Sequence, residues 1–144
     1  MSIDMEAADR GRWLGTALLV GVVYVLVGLL FTALSGSATS RAWFFRWRLG
    51  AWVVSAVVYA GHIGYEHFRL RYSAAIAAFH VAAAVAVGGF GLALAATAHA
   101  LVVPNQNLWL FALALVLWPA ITALPAYVVA LAGCAMLSLF PRRV

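Results

Sequence analysis

Long apolar runs separated by short polar breaks dominate the pattern of this chain. TALLVGVVYVLVGLLFTAL (16–34) and AAAVAVGGFGLALAA (82–96) are continuously apolar, whereas a membrane β-strand would alternate apolar and polar residues. An α-helix needs about 20 apolar residues to cross the hydrocarbon core of a bilayer. The breaks are SGSATS (35–40), a charged turn at 67–72 and PNQN (104–107). They predict an all-α polytopic membrane protein, a four-helix transmembrane bundle forming one domain over 1–144, with helices at about 13–34, 41–66, 73–103 and 108–140.

Within each run, the smaller and more polar residues fall on faces. Ala17, Gly21, Tyr24, Gly28 and Thr32 make a smooth stripe on helix one. On helix two, Arg48, Trp52, Ser55, Tyr59, His62, Glu66 and Arg69 recur at steps of three and four, so one polar stripe runs the length of the helix and is expected to point into the bundle or at a partner. Ser73, Ala77, His80, Ala84, Gly88, Gly91 and Ala95 form a face of mostly small residues on helix three, the kind that lets helix axes approach closely. Helices two and three are therefore expected to form the polar, close-packed centre. Pro119 and Pro125 weaken the hydrogen bonds of the Leu115 and Ile121 carbonyls and predict a kinked fourth helix.

Loop and end signals refine the picture. MSIDMEAADRGR (1–12) reads as a polar, frayed tail. The apolar run after it exceeds the ~7–15 residues of a signal-peptide core, so it reads as an uncleaved span. Thr39 or Ser40 is placed to cap helix two, and RAWFFRWR (41–48) mixes arginine with aromatic rings as an anchor at the head-group level. His67 and His99 read as interfacial histidines and Cys134 as a small core residue.

Composition narrows the class. The hydrophobic set makes up 67% of the chain and charged residues 9%; mean hydropathy is +1.03. Only a lipid surround solvates such a surface. The net charge of +5 comes from nine arginines against Asp4, Glu6, Asp9 and Glu66. Because those arginines flank apolar runs and form no continuous basic surface, they answer lipid head groups, and nucleic acid is not an expected partner. With four spans, Arg10, Arg12, Arg69, Arg71, Arg142 and Arg143 share one side and Arg41, Arg46 and Arg48 the other. That bias puts both termini in the cytoplasm of a bacterial inner membrane or its equivalent. One cysteine leaves no internal disulfide and excludes a thiol–disulfide enzyme that needs a cysteine pair.

Candidate chemistry concentrates in GHIGYEHFRLRYSAAIAAFH (61–80), where His62 and His80 each lie nine residues from Arg71. Helical rise puts both imidazoles at similar depth on facing helices. Three site chemistries fit. His62 and His80 can ligate a haem b iron, with Gly61 and Gly64 leaving room and Arg69 and Arg71 meeting propionates. His62, Glu66 and His80 can form a nitrogen and oxygen metal site. Tyr59, His62, Glu66 and His80 can bond a quinone or shuttle protons, since histidine titrates near neutrality. Against these stands a plain packing role in which His62, Glu66 and Tyr59 satisfy one another and Glu66 pairs with Arg69 or Arg71.

No catalytic set emerges. The leading expectation is a small accessory subunit or scaffold that self-associates or packs against other membrane chains within the lipid bilayer. The alternative is a redox-linked protein binding haem b, a metal or quinone through His62 and His80. A small-solute transporter using the proline kinks ranks third.

Overall fold

The computed structural model describes residues 2–104 and 106–139, with side chains from Gly11 onward. Four α-helices follow in order: α1 Ser2–Gly36, α2 Arg41–Gly64, α3 Ala74–Val102 and α4 Leu108–Ser138. There is no strand among the described residues. Three helical stretches, Gly11–Gly36, Ala74–Val102 and Leu108–Ser138, are long and apolar enough to cross a membrane. The Leu19, Leu26, Val102, Trp109 and Val116 side chains stand exposed on their outer faces, as lipid contact requires. The polar start of helix four's C-terminal tail, Phe140 with Arg142 and Arg143, lies outside the described residues, as do Asn105 and the Arg10 side chain.

Local signals act largely as anticipated. The Trp43 backbone N–H donates to Ser40 Oγ at 3.3 Å, and the Ile76 N–H to Ser73 Oγ at 3.4 Å, so α2 and α3 each start at a serine cap. α4 stays helical through Pro119 and Pro125, and the Thr122 hydroxyl donates to the Trp118 carbonyl at 2.9 Å. Two boundaries differ from the sequence reading. α1 extends back to Ser2; the segment before the apolar run has no proline to stop it. The helical path also continues past Gly64 as a π-helical turn over Tyr65–Leu70. The chain then reverses at 71–73, with Arg71 in the left-handed region at φ 58°.

α3 is the centre, but its main partners are α4 and α1, not α2. The α1–α3 seam works because glycine lets the axes come close. A Cβ at Gly21 would lie 2.5 Å from Val87 Cγ1, and one at Gly88 would lie 2.7 Å from Tyr24 Cβ. Dispersion across such a seam is what binds helices where lipid competes equally for apolar surface.

α2 meets α3 and α4 at one end only, and toward its N-terminus it packs on α1, where a Cβ at Gly50 would lie 2.7 Å from Phe31 Cε1 and the Trp47 ring centroid lies 6.2 Å from that of Phe31. Ile63 of α2 packs with Ala77, Ala78 and Val81 of α3 and with Ala130 and Cys134 of α4, ringed by Tyr59, Tyr72 and Tyr127. There α2 stands off from α3 and α4, and Trp52 is 76% exposed. The polar stripe of helix two therefore turns inward over Tyr59, His62 and Glu66, while Arg48 and Arg69 remain exposed. The cause is visible in the small-residue pattern. Near Ile63 the facing residues are alanines and a cysteine, whereas the arginine and tryptophan side chains of 41–52 have no such recess to enter. Trp47 meets the Phe31 ring of α1, and the others cover one another: Arg46 lies 4.9 Å over the Trp43 ring and Arg48 5.5 Å over Phe44.

Gly21→Leu is expected to lower stability by about 1–3 kcal/mol through overpacking of the seam. Gly15→Ala, where an added Cβ meets nothing within 4 Å, leaves the unfolding temperature in detergent unchanged or slightly raised. Equal behaviour of the two variants would remove the seam from the account.

Candidate functional site

The end of the bundle where α2 meets α3 holds most of the buried polarity. Glu66 sits in the π-helical turn and has no exposed surface. π turns interrupt regular helix geometry and are frequent at functional sites. One of its oxygens, Oε2, is hydrogen-bonded to His80 Nδ1 at 3.0 Å, across from α2's extension to the second turn of α3. The other, Oε1, lies 3.4 Å from His62 Nε2, one turn earlier on its own helix. That separation allows electrostatic attraction but is not aligned as a hydrogen bond. Oε1 and both ring nitrogens of His62 are accordingly buried without a hydrogen-bond partner among the described residues.

His80 is held from three directions. Trp13 of α1 stacks on its ring at a centroid separation of 4.6 Å and an interplanar angle of 2°. The Tyr72 ring meets it edge-on at 5.0 Å. With the Glu66 bond these contacts fix the imidazole in one orientation. Trp13 entered the sequence reading only as a helix start. Its role follows from topology, because α1 and α3 begin at the same end and a ring one turn into α1's apolar run falls beside His80.

The residues singled out from sequence divide cleanly. His62, Glu66 and His80 come together. Tyr59 lies one turn before His62, but its hydroxyl donates to the Ala126 carbonyl of α4 and not to the cluster. Arg69 and Arg71 are exposed and are not Glu66's partners; the two histidines take that place. His67, expected at the head groups, is buried instead, with its ring 4.9 Å from Phe68. The π turn carries Glu66 and His67, neighbours in sequence, both onto the buried side. Gly61 and Gly64 have open space beside them. His99 is exposed and Cys134 fully buried.

For axial haem ligation, one nitrogen of each ring must face a common iron from opposite sides of a porphyrin. Here a single carboxylate occupies the space between His62 Nε2 and His80 Nδ1. Among the described residues no group of three or more His, Cys, Asp or Glu is arranged to hold a metal ion. The arrangement resembles a carboxylate clamp for two imidazoles more than a ligand set opened toward an ion.

No protein family, no curated protein and no solved structure matches this chain. Its chemistry is read from its own residues.

Removing the Glu66 carboxylate takes the hydrogen-bond partner from His80 and the neighbouring oxygen from His62. Glu66→Ala is expected to cost roughly 3 kcal/mol of stability, in the range for breaking a buried pair. Glu66→Gln, which retains volume and hydrogen-bonding capacity, loses less. Thermal unfolding in detergent reads the difference, and an Ala variant as stable as the parent would show that the carboxylate holds nothing together.

Proposed function

We propose that this chain is a four-span integral membrane protein, with α2 as the fourth span, and that the His62–Glu66–His80 cluster is its working centre, a site that exchanges protons with the arginine-rich membrane face. The observation that carries the reading is Glu66, fully buried between two histidines, with Oε1 and both His62 nitrogens unspent. An ionisable group within a membrane bundle is costly and marks proton or ion pathways. Buried polar atoms without partners are rare and mark places where water or a proton is handled. Histidine supplies the matching chemistry, since each ring has two nitrogens that both donate when protonated and can accept singly when not.

The role is non-enzymatic: protons move and no substrate bond is made. His80, clamped by Trp13 and Tyr72, serves as the fixed partner. His62, with neither nitrogen spent, is the group free to change partners. Four spans place this end with Arg12, Arg69 and Arg71, which argues for the cytoplasmic side and for both termini there. The same histidines remain the residues for haem b or a metal, although the intervening carboxylate favours protons.

Infrared difference spectra of the protein in lipid, recorded on exchange of H2O for D2O, are expected to show shifted carboxyl and imidazole bands. The carboxyl band disappears in Glu66→Gln, and the imidazole bands change in His62→Ala. Spectra in which neither group exchanges its proton would reduce the cluster to packing.

A second reading, an accessory subunit packed against another membrane chain, is favoured by one observation: the Arg48 and Trp52 end of α2's polar stripe is uncovered by its own bundle. On native gels of membranes solubilised in mild detergent, the chain is then expected to run within a larger assembly and Trp52→Ala to release it. Monomeric migration of the parent protein removes this reading.

A further inference from the structure

A cavity lies away from the proton cluster, in the cleft where α2 stands off from α3 and α4. It measures about 470 Å³, within the ~300–1,000 Å³ typical of small-molecule sites. All four helices contribute to its wall, including Tyr24, Trp52, Tyr59, Gly88, Trp118 and Thr122. Nearly all of that wall is apolar. Trp52, mostly exposed, stands at its edge, so the cavity opens sideways toward the surrounding lipid.

Its hydroxyls are not equivalent. The Tyr59 hydroxyl donates to the Ala126 carbonyl. Thr122 Oγ1 donates to the Trp118 and Pro119 carbonyls at 2.9 and 3.1 Å. The Tyr24 hydroxyl is buried and has no partner among the described residues. Leaving such a group unmatched costs about 1–3 kcal/mol, so a ligand that supplies an acceptor gains by meeting it.

Depth identifies the acceptor. Tyr24 stands midway along the Gly11–Gly36 span, roughly 18 Å from either end at helical rise. A phospholipid ester sits at the head-group level and does not reach that depth without drawing its charged head after it. A carbonyl carried on a flat, uncharged, hydrocarbon-soluble ring does reach it. Taking each heavy-atom group as about the size of a water, ~30 Å³, the volume admits roughly 15 of them, enough for a substituted quinone ring. The remaining tail leaves through the lateral opening.

We infer that this cavity binds an isoprenoid quinone, with one ring carbonyl accepting a hydrogen bond from Tyr24 and the ring beside the Trp52 and Trp118 indoles. The site uses neither His62 nor Glu66, so it stands or falls separately from the proton reading.

The test is a titration of the full-length protein in lipid nanodiscs with ubiquinone-2, read as quenching of tryptophan fluorescence. Saturable quenching is expected, with Tyr24→Phe weakening apparent affinity roughly 3- to 10-fold. Ser55→Phe, which fills the cavity from α2, abolishes saturation while an unchanged melting curve shows that the fold persists. Glu66→Gln leaves binding unaltered. Quenching that rises linearly with quinone in the bilayer, or that saturates identically in Ser55→Phe, overturns the site. So does extraction of tightly held phospholipid that ubiquinone-2 does not displace, since the cleft would then be a seat for an acyl chain.

Discussion

Burying a carboxylate with no exposed surface in an apolar bundle sets conditions on everything around it. Glu66 must be matched where it lies, and its matches come from separate stretches: His62 one turn back on the same helix and His80 across the hairpin. Both histidines must then be held. Trp13 and Tyr72 hold His80, which recruits the start of α1 and the hairpin into one arrangement. Ile63 packing on alanines and Cys134 closes the apolar side of the same region. The tight end of the molecule is thus a polar trio wrapped in small-residue packing.

The remainder of the frame follows different physics. Along α1 and α3 no charge is involved, and proximity is set by glycines that admit a valine or tyrosine side chain where a Cβ would stand. These two modes divide the bundle into a polar, fully packed end and an opposite end where α2 packs on α1, with Gly50 and Trp47 against Phe31, but leaves α3 and α4. The cavity is the geometric remainder of that division: α2 meets α3 and α4 near the cluster and leaves them beyond it.

Much of this was legible from residue order. Long apolar runs and the polar breaks between them gave α2, α3 and α4 to within about two residues but not the start of α1 at Ser2; three- and four-residue spacing put His62 and Glu66 on one stripe, and helical rise brought His80 to their depth. The α1 and α3 faces were likewise visible as recurring small residues. What the spacing could not show was how far a stripe stays inward. Periodicity assigns Arg48 and Glu66 to the same face, but only Glu66 meets a neighbour with room for it. The π turn was equally hidden, because YEHFRL carries neither proline nor glycine to announce a change of winding, and its effect is to bury His67 and defer the chain reversal to 71–73. Trp13 was missed because stacking on an imidazole depends on the register between two helices far apart in sequence.

The departure of α2 from α3 and α4 also shapes the outline of the molecule. At the level of Glu66 and Ile63 the helices close on one another. At the level of Trp52 the outline is indented between α2 and its neighbours. Whatever surrounds the protein at that depth fills the indentation, so its perimeter there exceeds that of a closed bundle of four helices.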